Sequence, residues 1–163
     1  RGRCLMTVRV LMVCMGNICR SPMAEALLRH KVAAAGLSDQ ITVDSAGTHG
    51  YHVGHDAHPG TREVLKEHGI AYKGSARQFQ PEDAERFDYV LALDRDNMRD
   101  IRRVARGSGD NLHMFLRFAY EAGTTDLLEV PDPYFTGEYD ATYELVEKGV
   151  DALLAHIRAE HGL

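Results

Sequence analysis

At 163 residues, with 44% hydrophobic and 26% charged residues, the chain is long enough to bury a sizeable core and reads as one domain. A formal net charge of -5 argues against nucleic acid or an acidic membrane surface as a partner, and three cysteines are too few for a secreted disulfide framework. No apolar run approaches the roughly 20 residues that cross a bilayer, and none has the form of a signal peptide, so the expected setting is a reducing one, the cytoplasm.

Arg1-Gly2-Arg3-Cys4-Leu5 precedes Met6, which reads as a native start; residues 1–5, Cys4 among them, are expected to lie outside the working domain. Residues 8–13 are near-continuously apolar and β-prone, as in a strand buried on both faces. Residues 21–35 follow as a helix, with Pro22 suited to its first turn, Glu25 to its positive end and Gly36 as its stop. A second strand is predicted over 41–46, a Gly- and His-rich loop over 49–60 and a helix over 61–68. After a connector, residues 82–86 form a short helix, 88–93 a third strand, and Asp94 caps a helix reaching about residue 106. Residues 107–110 turn into a short fourth strand over 112–115. Residues 124–136 are read as mostly loop, and 139–160 as a helix with an apolar stripe at Leu145, Val146, Val150, Leu153, Leu154 and Ile157. Strands alternating with helices predict an α/β fold, a parallel sheet with helices on both faces, whose ligand sits at the carboxyl ends of the strands.

The loop after the first strand carries the chemistry. Cys14 ends the strand, Arg20 follows in a Cys-x5-Arg spacing, and a helix starts at once. Alone the spacing is a short motif that recurs by chance. In this frame the backbone N–H groups of the loop can form a nest for a tetrahedral oxyanion, the helix N-terminus adds partial positive charge, and Arg20 adds a two-pronged donor. A thiol titrating near 8.5 in isolation falls to about 3.5–7.5 in such surroundings, which makes Cys14 a nucleophile with phosphate as its natural electrophile. Ser21 is placed to hydrogen-bond the sulfur. The competing reading is a buried structural cysteine beside a capping serine. An acid for the departing oxygen is also needed, and Asp132, in Pro131-Asp132-Pro133-Tyr134-Phe135, is the candidate; a plain Asp-Pro surface turn competes with it.

Cys14-Met15-Gly16-Asn17-Ile18-Cys19-Arg20-Ser21-Pro22 with Ala24-Glu25-Ala26 resembles the signature of the low-molecular-weight protein tyrosine phosphatases, bacterial type. The likeness continues through Val43-Asp44-Ser45-Ala46-Gly47, Ala76-Arg77-Gln78 and Asp94 to Asp132-Pro133-Tyr134, covering nearly the whole chain in order. It implies a three-layer fold with a four-stranded parallel sheet, flavodoxin-like, and a cofactor-free, metal-free two-step hydrolysis of phosphotyrosine. Cys14 would form a cysteinyl-phosphate. Asp132 would protonate the leaving phenolate and then activate water. Arg20 and the N–H groups of Met15, Gly16, Asn17, Ile18, Cys19 and Arg20 would bind the phosphoryl oxygens. Asn17 and Ser45 would hold the loop, and Ser21 would stabilise the thiolate. Cys19 would pair with Cys14 under oxidation. Tyr51, His52 and Tyr134 would form the substrate rim. The implied partners are phosphotyrosine proteins, a cognate tyrosine kinase among them, with the chain a monomer or weak dimer. Two departures stand out. Phe135 replaces a second tyrosine, removing that phosphorylation site, and Gly74 falls where some members have a histidine supporting the loop asparagine, so a thinner or water-filled network is expected there.

Rival readings are weaker. A phosphoarginine phosphatase would use the same scaffold, though such relatives carry a small β-branched residue where Ile18 stands. An arsenate reductase needs two more cysteines, and none follows Cys19. A phosphate-binding or response-regulator-like module would not need Cys14, Arg20 and Asp132 together, and the glycine signatures of nucleotide binding are missing. His49, His52, His55 and His58 recur every third residue, but lack a companion cluster of carboxylates or thiols, so a solvated specificity loop is expected rather than a metal site.

Overall fold

Burial on both faces of one central strand decides the architecture of this computed structural model, which describes residues 7–163. The reading of Cys4 and of a start at Met6 lies outside the described residues. The first strand, β1 (Val8–Cys14), alternates between two cores. Val8, Val10, Met12 and Cys14 face one, while Leu11 and Val13 face the other. Each face therefore needs apolar residues, which is why the segment reads as a continuous run instead of an alternation.

Three parallel partners complete the sheet. These are β2 (Ile41–Gly47), β3 (Tyr89–Ala92) and β4 (Leu112–Met114), in the order β2-β1-β3-β4. β1 pairs in register with β2 from Val8↔Ile41 to Cys14↔Gly47, and with β3 from Val10↔Tyr89 to Val13↔Ala92. The chain steps from β1 to one side and then crosses to the other, so the order switches direction at β1. A crevice opens at the carboxyl end of a strand in that position, and Cys14 is the residue there.

On one face, α1 (Arg20–Ala34) packs with α2 (Pro59–Glu67) and α7 (Tyr139–His161), and α5 (Arg117–Glu121) packs on α7. Met23, Leu27 and Leu28 join Val146, Val150, Leu153 and Ile157 in that core. On the other, α3 (Asp83–Arg86) and α4 (Arg95–Val104) bring Ala84 and Ile101 against Leu11, Val13 and Val90. Every residue of α1 from Arg20 to Leu28 is buried, since the helix is covered by the sheet and by neighbouring helices. It begins at Arg20, and Ser21 does not act as its cap.

Most predicted boundaries hold within one or two residues. Two short helices were not predicted: α5, and α6 (Pro133–Thr136), which lies inside the stretch read as loop. No helix among the described residues is long and apolar enough to cross a membrane.

Candidate active site

The backbone of the loop from Cys14 to Arg20 is tied to the rest of the chain through its carbonyls. Thr48 N–H donates to the Cys14 carbonyl at 2.9 Å, His49 N–H to Met15 at 3.0 Å and His58 N–H to Ile18 at 2.7 Å. The Thr61 hydroxyl donates to the Cys19 carbonyl at 3.0 Å. No group among the described residues accepts from the N–H groups of Met15 to Cys19. Buried backbone donors are nearly always satisfied, so a row of five unclaimed N–H groups is built for an acceptor from outside.

The bend requires Asn17 at φ 56°, the one non-glycine residue with positive φ among those described. Its side chain holds that conformation from both ends. The amide nitrogen donates to Ser21 Oγ at 2.8 Å and Ser45 Oγ at 2.9 Å, and Oδ1 accepts from Arg77 N–H at 3.0 Å. Ser21 Oγ lies 3.0 Å from Cys14 Sγ, as expected from the sequence. Gly47 is needed because β2 ends against this bend: a Cβ there would lie 2.7 Å from the Met15 carbonyl oxygen and 3.0 Å from Asn17 N. Gly47→Ala is expected to lower kcat/KM for an aryl phosphate about 100-fold by displacing the loop about 1 Å. Melting should drop by only a few degrees; loss of the fold would instead mean that Gly47 serves stability.

Arg20 is buried at 2% exposure. One terminal nitrogen donates to Asp94 Oδ2 at 2.6 Å and to the Val130 carbonyl at 2.8 Å, the other to Asp132 Oδ2 at 3.3 Å, while Nε has no partner. Burial works against the cation, but Cys14, Asp132 and Asp94 outweigh it and hold its pKa above the ordinary arginine value. Asp94 is pinned in turn, because its Oδ1 caps α4 through Asn97 N–H at 2.7 Å. Asp132 caps α6 through Tyr134 N–H at 3.1 Å.

A cavity of about 320 Å³ stands over the loop, lined by Cys14, Met15, Gly16, Ile18, Cys19, Tyr51, His52, Asp132 and Tyr134. The predicted nucleophile, acid and rim residues thus meet at one opening. Asn17, Arg20, Ser21 and Ser45 sit behind it, each under 4% exposed. Tyr51 stacks on His49 with centroids 5.3 Å apart and is 74% exposed, so that wall stands free at the rim.

Cys19 is a free, buried thiol. Burial pushes its pKa up to about 12, against a weaker opposing hydrogen bond with Tyr139. The Tyr139 hydroxyl is 3.5 Å from Cys19 Sγ and 3.0 Å from His58 Nδ1.

Two expectations are sharpened. The histidine loop is exposed over most of residues 50–56, as expected, but it is not loose. His58 Nδ1 accepts from Gly60 N–H at 3.0 Å and caps α2, and its ring stacks on Tyr139 at 5.2 Å. Gly54 N–H and Ala76 N–H lace the loop to the 70s connector at 2.8 and 2.9 Å. Among the described residues no three His, Cys, Asp or Glu side chains are grouped so as to hold a metal ion. The network near Gly74 is not thinned either. The Tyr72 hydroxyl fills the space, 2.7 Å from where a Cβ on Gly74 would be, and donates to Glu25 at 3.1 Å.

A model of the low molecular weight phosphotyrosine protein phosphatase family matches residues 9–162. The chain belongs to this family. It is 43% identical over 157 residues to the low molecular weight protein-tyrosine-phosphatase YfkJ of Bacillus subtilis, covering 96% of this chain and 99% of that one. It is 44% identical over 158 residues to a low molecular weight protein-tyrosine-phosphatase of Streptomyces coelicolor, covering 95% and 96%. The crystal structure of YfkJ aligns with a TM-score of 0.90 at 41% identity over 98% of both chains. A protein tyrosine phosphatase from Entamoeba histolytica aligns at 0.86 and 31% identity, over 96% and 99%. The predicted four-stranded parallel α/β fold is thus that of the phosphatase family.

Sequence reasoning missed Asp94 as the anchor of Arg20 and Glu25 as a buried partner of the loop. Asp94 could have been found from its place just past a predicted central strand, where site residues gather. For Glu25 the signal is absent, because an acid in the first turns of a helix is ordinary.

Proposed function

We propose that the chain is a protein tyrosine phosphatase that works through a cysteinyl-phosphate, with residues 1–163 forming a single phosphatase domain. The observation that carries this reading is the row of unclaimed N–H groups in the loop that follows Cys14, with Cys14 and Asp132 lining the same cavity. In the first step Cys14 Sγ forms a bond to phosphorus as the ester P–O bond breaks, and Asp132 delivers its proton to the departing phenolate. In the second, Asp132 takes a proton from water as the water oxygen bonds to phosphorus, and the S–P bond breaks to return the thiolate and release phosphate. The N–H groups and Arg20 hold the three equatorial oxygens, whose charge they meet without having to reorganise.

The aromatic rim of Tyr51 and Tyr134 favours a flat aryl ester, and a phosphoserine side chain is too short to bring its phosphorus to the base of the cavity. Phosphotyrosine proteins are therefore the substrates, with a cognate tyrosine kinase as one of them. A monomer or weak dimer in the cytoplasm is the expected form. Cys19, held protonated, does not compete as nucleophile toward phosphate; when a peroxide takes the Cys14 sulfur to the sulfenic acid, Cys19 condenses with it to a disulfide, with its proton and the sulfenic hydroxyl leaving as water.

The test is phosphate release from phosphotyrosine, phosphoserine and phosphoarginine peptides of one sequence. Phosphotyrosine should be preferred over phosphoserine by roughly 100-fold or more in kcat/KM. Faster release from phosphoarginine would overturn the substrate assignment.

A further inference from the structure

Cys19 has to lose a proton before it can bond to another sulfur, and burial opposes that loss. The thiol is 4% exposed and burial lifts its pKa to about 12, so very little of it is thiolate near neutral pH. The side chains around it offer the proton a way out. Its Sγ lies 3.5 Å from the Tyr139 hydroxyl, and that hydroxyl lies 3.0 Å from His58 Nδ1. The directions follow from the far end. Gly60 N–H, which can only donate, meets the same Nδ1 at 3.0 Å, so this nitrogen is an acceptor and the neutral ring carries its proton on Nε2. Tyr139 then donates to Nδ1, and its oxygen is left to accept the Cys19 S–H. Burial raises the Tyr139 pKa and keeps the phenol protonated. The three side chains are brought together by the backbone around them: a Cβ on Gly60 would lie 2.6 Å from the Tyr139 ring, the His58 and Tyr139 rings stack 13° from parallel, and His58 N–H holds the Ile18 carbonyl at 2.7 Å.

We propose that Tyr139 and His58 form a proton relay that carries the proton away from Cys19 as this thiol closes on an oxidised Cys14. The proposal rests on the reading of Cys19 as the thiol that pairs with Cys14, and adds the groups that activate it. Hydrogen peroxide first takes the Cys14 thiolate to the sulfenic acid: an S–O bond forms, the O–O bond breaks, and the departing hydroxide is protonated to water. The Cys19 proton then passes to the Tyr139 oxygen as the Tyr139 proton passes to His58 Nδ1. The electron pair left on Cys19 attacks the Cys14 sulfur, the S–S bond forms, the S–O bond breaks, and the hydroxide takes a proton from solvent. His58, now doubly protonated, returns one proton to solvent, and the sum is one disulfide and one water. An imidazole suits the outer position, because this side chain takes up and releases protons under ordinary conditions. His58 is only half-buried, and its ring meets Tyr134 of the rim edge-on with centroids 5.9 Å apart, so the relay runs from a buried thiol toward the mouth of the cavity. Phosphate ester hydrolysis uses neither side chain.

The test follows the full chain after a pulse of hydrogen peroxide. Dimedone traps the sulfenic acid, intact mass counts disulfide and sulfinic acid, and peptide mapping locates the bonded cysteines. The parent should pass to the Cys14–Cys19 disulfide with little sulfinic acid. Tyr139→Phe removes one oxygen and keeps the ring. Closure should slow about tenfold or more, with sulfenic and then sulfinic acid accumulating at Cys14, while kcat for an aryl phosphate before the pulse changes less than about twofold. His58→Asn keeps a side-chain acceptor for the α2 cap and for the Tyr139 hydroxyl, but not one that holds a proton, and should slow closure to a similar extent. Combining the two should add nothing, as either cuts the same path. Closure at the parent rate in Tyr139→Phe overturns the relay. So does a loss there with His58→Asn closing like the parent, a pattern that would leave Tyr139 as a group that only places the thiol. A parent that hydrolyses aryl phosphate yet forms no Cys14–Cys19 bond overturns the reading of Cys19, and the relay with it.

Discussion

Cys14→Ser should lose at least about 10⁴-fold in kcat toward an aryl phosphate while still binding phosphate within a few-fold of the parent. The size of the loss follows from the chemistry of the site. Serine oxygen at the end of β1 remains a neutral alcohol in every accessible pH range, so the step that forms the bond to phosphorus has no nucleophile. Binding survives because none of the anion-holding groups depends on the sulfur. The carbonyls of Cys14, Met15, Ile18 and Cys19 remain tied to Thr48, His49, His58 and Thr61, so the loop keeps its N–H groups in place. Arg20 remains anchored by Asp94 and the Val130 carbonyl. The matching change at the second thiol provides the contrast: Cys19→Ser should cost only a few-fold, as that thiol is held protonated by burial. Isothermal titration with phosphate and steady-state rates on the same preparations separate binding from turnover. Substantial hydrolysis by Cys14→Ser, or equal losses in the two variants, would remove Cys14 from the mechanism.

The strand that ends at Cys14 was legible because its physical demand is local: two buried faces leave an apolar run, and the run stops where the loop begins. The nucleophile, the arginine and the acid were legible because each is a chemically distinctive residue at a strand end or in a stiff turn. What stayed hidden is set by partners far away in the chain. His58 looks like one of four loop histidines until Tyr139, 81 residues on, takes its Nδ1. Glu25 looks like a complement to a helix dipole until the structure brings Tyr72 and Ser45 onto one of its oxygens. α5 and α6, with five and four residues, are too short to carry a helical period. Gly74 shows the converse error. An expected histidine was missing, and the loss read as a gap, but a tyrosine two positions earlier supplies a donor from a different starting point.

Asp132 divides substrates by leaving group. A phenolate that departs easily needs little help, whereas a basic one must be protonated as the bond breaks, so removing the acid should cost in proportion to leaving-group basicity. Asp132→Asn is the informative variant, because it can keep the acceptor that caps α6 through Tyr134 N–H and so preserve the rim; Asp132→Ala forfeits that cap as well, at about 1 kcal/mol of local stability. For phenyl phosphate, kcat should fall about 10²–10⁴-fold; for a nitrophenyl phosphate, less than about tenfold. The pH profile gives an independent reading. With Cys14 as nucleophile and Asp132 as proton donor in the first step, the parent's rate on poor leaving groups should be bell-shaped in pH, with a descending limb that belongs to the acid and an ascending limb that belongs to the nucleophile. In Asp132→Asn that descending limb should vanish while the ascending limb set by the nucleophile stays where it was. Arg20 makes this a demanding test, since the same guanidinium lies 3.3 Å from Asp132 and is held by Asp94 on its other nitrogen. If the loss came from a displaced Arg20, both substrates would suffer alike and both limbs would persist; that pattern would assign Asp132 to holding the arginine, and the proton would have to come from elsewhere.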